Sequence, residues 1–218
     1  AAALTPERAR AGLEDAGGCL ALAAVNAPAQ VTLAGDRESI AALQARLCEQ
    51  GIFCRRLEVD CAFHSRHMDP LREALLRELK DLRPQKSRVP FYSTVSGAEM
   101  CGAELDAEYW WRNVRAPVRF ADAVAALLPS QPGSLIELGA HAVLAAALSE
   151  IAAAQGAQVQ VLPSMRRGQS DWHVLCTSLS ALYVAGHEVN WRGFYGLDEA
   201  APPPFMELPR YPWQRQRY

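Results

Sequence analysis

The run 19-CLALAAVNAPAQVTLAGDRESIAALQARLCEQGIFCRRLEV-59 decides the fold class. Two short apolar stretches, 19–25 and 31–35, flank 26-NAPAQ-30, which reads as a turn between two strands. Ile40, Leu43 and Leu47 then recur at helical spacing, and Gly51 stops that helix. The following 52-IFCRRLEV-59 reads as another strand. Upstream, Thr5-Pro6-Glu7 opens a helix, with Thr5 as N-cap and Pro6 in the first turn, and Gly17-Gly18 closes it. Residues 1–60 thus run helix, strand, strand, helix, strand. That is a ferredoxin-like unit without its first strand, which is expected just before Ala1. The chain begins without Met and without an apolar signal segment, as a piece of a longer polypeptide would.

From Asp60 the pattern changes. Residues 60-DCAFHSRHMDP-70 form a loop dense in ionisable groups, and Leu71, Leu75, Leu76, Leu79 and Leu82 make one stripe of an amphipathic helix. Strands are expected at 89–97, 134–139 and 159–165. Helices are expected at 107–114, from Pro117 to Leu127, at 142–154, and at 171–185, the last with Leu175, Leu179, Leu182 and Tyr183 on its apolar side. This alternation predicts an α/β architecture, a parallel sheet with helices on both faces. The segment beyond about 197 is Pro-rich and extended.

The 218 residues carry a net charge of −2, with half of them hydrophobic and 21% charged. That balance builds an ordinary core and lacks the basic excess of a nucleic-acid binder. No apolar run reaches the roughly 18 residues of a membrane span. The six cysteines form no C-x-x-C pair, so they read as reduced thiols of a cytoplasmic protein rather than a zinc ribbon. No metal set, phosphate loop or dinucleotide fingerprint is present, and no bound cofactor is expected.

Several residues suggest chemistry. His64 lies in a loop between rigid elements, where a side chain that exchanges a proton near neutral pH is well placed; a structural surface histidine fits the same position. Cys61 and His64 could form a nucleophile pair, against the plainer reading of a small packed thiol. His67 completes a His-x-x-His spacing without a third metal ligand. Trp110, Trp111, Arg112 and Arg115 suit either a stacking surface or a core anchor. His141 follows 136-IELGA-140, a strand-to-helix turn whose amides could receive an anion. The serines include no G-x-S-x-G elbow.

Six stretches then appear in a telling order: 25-VNAPAQVTLAGD-36, 59-VDCAFHSRHMDPL-71, 90-PFYSTVSG-97, 109-YWWRNVRAPVRFADAV-124, 136-IELGAHAVL-144 and 208-LPRYPWQRQRY-218. Together they resemble the acyltransferase domain of a modular type I polyketide synthase with the linker after it. The resemblance implies an α/β-hydrolase-like large subdomain with an inserted ferredoxin-like small subdomain. Residues 1–60 would be the small subdomain, 61–165 the second half of the large one, and 166–218 the linker that packs towards a ketosynthase domain.

The resemblance also implies a reaction. A serine in a G-H-S-x-G elbow takes an acyl group from an acyl-CoA and passes it to the phosphopantetheine thiol of an acyl carrier protein. His64 matches the histidine that acts as general base and then general acid. The serine, the oxyanion strand and the carboxylate-binding arginine of the family would lie upstream, so the 218 residues alone would be inactive. Cys61, Ala62, Phe63 and His64 match a four-residue selectivity box. The family's malonyl-type box resembles His-Ala-Phe-His and its methylmalonyl-type box Tyr-Ala-Ser-His; Phe63 therefore implies malonyl-CoA, with methylmalonyl, unusual extender or starter acids as alternatives. Asn26 resembles a residue bordering the substrate cleft. A main-chain carbonyl within 117-PVRF-120, assigned to Arg119, would orient His64. A non-catalytic scaffold docking to the ketosynthase, through Tyr211, Trp213 and Tyr218, is the competing reading.

Overall fold

A computed structural model describes residues 1–14, 18–197 and 206–217. The chain forms two compact units, Ala1–Leu175 and Cys176–Tyr218.

The first unit begins with α1 (Pro6–Glu14), where the Thr5 hydroxyl accepts from the Arg8 amide as the N-cap reading requires. Of the Gly17-Gly18 stop, Gly17 lies outside the described residues and Gly18 has the left-handed φ of +81°. Strands β1 (Leu20–Ala27) and β2 (Gln30–Gly35) pair antiparallel around Pro28-Ala29, so the turn is tighter than 26–30. Helix α2 (Arg37–Glu49) follows and ends before Gly51, whose φ of +68° lies in the left-handed region that favours glycine. The strand expected at 52–59 does not form. Cys54 alone makes a bridge, to Ala2, and Ala2 also bridges Val31, both antiparallel. The segments therefore lie in the order Cys54, Ala2, β2, β1. The first strand, expected before Ala1, is represented inside the chain by Ala1–Ala3. Arg55 exchanges hydrogen bonds with Ala1 at the end of this pairing. Ala2, Leu4, Ala9, Leu22, Val31, Leu43 and Leu47 form the core beneath these strands.

After a 3-10 turn (Arg66–Leu71) comes α3 (Arg72–Glu78), shorter than the leucine stripe predicts. Pro70 lies inside the 3-10 turn, and Leu71 and Leu82 of the stripe are exposed. Strands β3 (Phe91–Ser93) and β4 (Ala98–Met100) form an antiparallel hairpin. The expected parallel strand at 89–97 is thus a hairpin arm. The Ser93 hydroxyl accepts from the Val95 and Ser96 amides, and Gly97 turns the chain back at φ +73°.

Helix α4 (Ala107–Arg115) is capped by Asp106 and buries Tyr109 and Trp111. The Tyr109 hydroxyl shares a 2.9 Å hydrogen bond with Ser93. Helix α5 (Phe120–Leu127), strand β5 (Ser134–Glu137), helix α6 (Ala145–Ala154) and strand β6 (Gln160–Pro163) complete the layer. Among the described strands β5 and β6 pair in parallel, and a parallel bridge joins Ala24 of β1 to Val118. A second core gathers Val124, Leu128, Ala147, Leu148, Ile151 and Ala152 around Ala27 of β1. Glu150 of α6 ties the two cores: its carboxylate accepts from the Ala29 amide (3.0 Å) and the Gln30 side chain (2.6 Å) at the β1–β2 turn.

Helix α7 (Asp171–Val184) buries Val174, whereas Leu175 and Tyr183 of the expected stripe are exposed. In the second unit α8 (Trp191–Phe194) stands in an aromatic cluster, Trp191 meeting Tyr183 edge-on at 5.3 Å. Residues 206–217 have no regular structure and expose Tyr211 and Trp213; Tyr218 lies outside the described residues.

Gly35 is the tightest point of the first sheet. A Cβ there would lie 2.1 Å from the Cys19 carbonyl and 2.9 Å from Leu20 Cα, both backbone. Gly35→Ala is expected to destabilise the β1–β2 sheet by about 1–3 kcal/mol or more. Faster amide exchange in peptides spanning 20–35, followed by mass spectrometry, would register it; wild-type protection would contradict the packing described.

Candidate active site

The site grows from one proline. Pro117 disfavours helical backbone at the residue before it, so α4 ends at Arg115 and Ala116 swings to φ −78°, ψ 157°. That turn aims the Ala116 carbonyl away from the helix axis. It meets Nδ1 of His64 at 2.8 Å. A carbonyl oxygen only accepts, so Nδ1 carries the proton and Nε2 is left with a free lone pair. The Ala116–Arg119 connection is itself fixed on two sides. Val118 exchanges backbone hydrogen bonds with β1, to Ala23 at 2.8 Å and from Val25 at 2.9 Å, and the Arg119 amide donates to Thr94.

The orienting carbonyl is therefore that of Ala116, not of Arg119. The Arg119 carbonyl accepts from the Ala123 amide as the first acceptor of α5, and its side chain pairs with Asp122 and the Ser96 carbonyl.

His64 itself sits in the left-handed region at φ +60°, a conformation costing a non-glycine residue about 1 kcal/mol. The surrounding bonds hold it there. Its amide donates to Val114 at 3.0 Å. Ser65, 1% exposed, donates from its hydroxyl to Ala62 at 2.6 Å and accepts from the His67 amide. Beyond it, Asp36 at the end of β2 pairs with Arg66 Nη2 at 3.0 Å and His67 Nε2 at 2.8 Å. A hydrogen bond from the Cys19 thiol, and after it the charges of Arg66 and His67, hold the Asp36 carboxyl below its ordinary range. A lowered carboxyl pKa contributes stability that is complete above about pH 4 and fades as pH falls through the lowered value.

His64 faces a cleft of about 620 Å³. Thr32–Asp36 of the first sheet form one wall, Ile40, Leu43 and Leu47 of α2 another, and the 54–64 segment closes it, with Leu57, Val59 and Phe63 supplying apolar surface. Cys61, Ala62, Phe63 and His64 all line it. Phe63 is 51% exposed, its ring 6.4 Å from the imidazole. Asn26 does not line the cleft; its amide donates to Thr32, which does.

The other candidates make no hydrogen bond to the His64 ring among the described residues. Cys61 is exposed and makes no hydrogen bond to His64 among the described residues. His67 is an ion-pair partner, and no three-residue metal cluster occurs among the described residues. Trp111 is buried, and Arg115 pairs with Asp69. The turn before α6 is not an open anion site, because the buried Glu137 carboxylate already accepts from the Val143 (2.7 Å) and Leu144 (3.0 Å) amides. His141 accepts from the Arg167 amide. Ala116 was signalled by its X-Pro position; nothing local to Asp36, Ser65 or Glu137 marked their reach.

Pro117→Ala releases the restriction on Ala116 and lets α4 continue. Any reaction that uses His64 is expected to slow roughly 10- to 100-fold, the scale of a misplacement near 1 Å, while protection of the buried Tyr109 helix in amide exchange persists. An unchanged rate would remove the carbonyl from the site.

Residues 1–189 match the family model described as the acyl transferase domain. Polyketide synthase GfsB of Streptomyces halstedii is 40% identical over 202 residues, covering 92% of this chain and 4% of that protein. Erythronolide synthase EryA3 of Saccharopolyspora erythraea is 37% identical over 212 residues, covering 97% of this chain and 6% of that protein. The acyltransferase domain from module 8 of the salinomycin polyketide synthase superposes with a TM-score of 0.83 at 36% identity, over 87% of this chain and 45% of that one. A loading acyltransferase from the avermectin modular polyketide synthase gives 0.78 at 35%, over 84% of this chain and 57% of that one. The chain thus spans a small fraction of these curated relatives and about half of these solved domains.

Proposed function

This chain belongs to the acyl transferase domain family, and on that premise we propose that it carries the histidine of an acyl-CoA to acyl carrier protein transacylase within a polyketide synthase. The observation that carries the proposal is the His64 imidazole, its Nδ1–H spent on Ala116 and its Nε2 free beside the cleft. We place the serine nucleophile outside these 218 residues, since the sequence contains no G-x-S-x-G stretch. Nε2 takes the serine proton as Oγ attacks the thioester carbonyl, then returns it to the departing CoA thiolate. In the second half-reaction it takes the proton of the phosphopantetheine thiol, which attacks the acyl-serine, and returns it to the serine oxygen. The neutral carbonyl of Ala116 orients the ring, the task a carboxylate performs in a Ser-His-Asp triad.

The antiparallel order Cys54, Ala2, β2, β1 supports a ferredoxin-like small subdomain over 1–60. Residues 61–165 are then read as part of the hydrolase-like subdomain and 166–218 as the linker. The acyl group is malonyl in this reading, because Phe63 lies against the cleft where a 2-methyl substituent needs room. Acyl carrier protein and ketosynthase are the partners. Exposed Tyr211 and Trp213, stacked edge-on at 5.1 Å, favour a docking role for the tail beside the catalytic one.

Two measurements on the full-length gene product test this. Peptide mass spectrometry after malonyl-CoA should find an acyl-serine that His64→Ala forms about 10²- to 10⁴-fold more slowly; wild-type rates in that variant would end the proposal. Phe63→Ser should move the malonyl to methylmalonyl preference by roughly 10- to 200-fold towards methylmalonyl, the worth of one methyl group in a pocket. An unmoved ratio would take Phe63 out of selection.

A further inference from the structure

Asp36 occupies the N-cap position of α2, with extended backbone at φ −62°, ψ 141°, yet its carboxylate makes no capping bond. An Asp there ordinarily accepts from an amide of the first helical turn. Here the carboxylate is diverted across the cleft edge. Oδ2 meets Arg66 Nη2 at 3.0 Å and Oδ1 meets His67 Nε2 at 2.8 Å, so the two oxygens hold adjacent residues of the loop that follows His64. Gly35 stands before it with its backbone against Cys19, and the Asp36 amide donates to the Cys19 carbonyl at 3.0 Å, so the base of the carboxylate is rigid. Arg66 and His67 are also the first residues after Ser65, the buried hydroxyl that closes the His64 turn.

We propose that Asp36 is a positioning residue for His64, a fork from β2 that fixes residues 66–67 and thereby keeps the strained His64 turn, and with it Nε2, in place beside the cleft. The proposal rests on the reading of His64 as the proton carrier. The pair with Asp36 joins the first sheet to the His64 loop at one end of the cleft, while the Ala116 carbonyl secures the ring itself. Loss of the fork leaves the Ala116 bond available but frees the loop to relax out of φ +60°.

The test uses the full-length gene product. Asp36→Ala should lower kcat for acyl transfer about 10- to 100-fold, the scale of a small misplacement of a catalytic group, with KM changed less than about threefold. Asp36→Glu, which keeps the carboxylate, should recover most of that rate. Adding Arg66→Gln and His67→Gln to Asp36→Ala should cost nothing further, as expected of residues acting in one unit. Hydrogen–deuterium exchange at the His64 ring Cε1, read by mass spectrometry, should accelerate severalfold in Asp36→Ala. Ring exchange reports placement whether or not an acyl group is transferred, so failure of the transacylase reading shows as an inactive wild type with fork-dependent exchange. A wild-type exchange rate, a kcat within twofold of wild type, or full additivity of the three substitutions would each overturn the proposal. Should Asp36→Ala fail to fold, the Arg66→Gln/His67→Gln pair, which leaves β2 and α2 untouched, carries the same expectation.

Discussion

The backbone restriction that Pro117 places on Ala116 is the constraint from which the site follows. A helix that continued through residue 116 would direct its carbonyl along the helix axis, and His64 would lose the acceptor that fixes its tautomer. The restriction costs nothing in the folded state, since Pro117 has no amide to satisfy, and it acts without any side chain. What it does not set is where the freed carbonyl points in space. The pair of hydrogen bonds between Val118 and β1 does that, which makes the first sheet part of the site although its strands carry no reacting group.

The balance at His64 shows why so many bonds converge on one loop. Left-handed backbone at a non-glycine residue opposes the turn by about 1 kcal/mol, and a typical net hydrogen bond returns about the same. One bond would leave the turn marginal. The His64 amide, the Ser65 hydroxyl, the Nδ1 bond to Ala116 and the fork from Asp36 together outweigh it. Buried Ser65 bridges Ala62 and His67, so its loss would remove two of these bonds at once.

The sequence was informative where local chemistry decides structure. The Thr5 cap, the β1–β2 pair, helix α2 and its stop at Gly51 are all encoded within a few residues of where they occur, and so was the four-residue box that lines the cleft. It misled where partners are distant. The 52–59 run has strand composition, yet only Cys54 makes a β-bridge, because composition does not decide which neighbours a ladder meets. The 89–97 run reads as an apolar strand of a parallel sheet, but Ser93 and Gly97 bend it into a hairpin. Orienting His64 from 117–120 placed the carbonyl three residues too late, since the helical acceptor role of Arg119 depends on where α5 begins.

Two acidic residues, Glu137 at the end of β5 and Asp36 at the start of α2, show how the same residue class serves opposite ends. Glu137 turns its carboxylate onto the amides of Val143 and Leu144 and so removes a place where a substrate anion could have been received. Asp36 leaves the start of α2 without a side-chain cap and spends its charge on the His64 loop. The first neutralises a helix start away from the cleft; the second gives up a local bond to hold a distant one. In the proposed reading, with the amides before α6 already satisfied, His64 would contribute proton transfer to acyl chemistry, rather than that helix anion stabilisation.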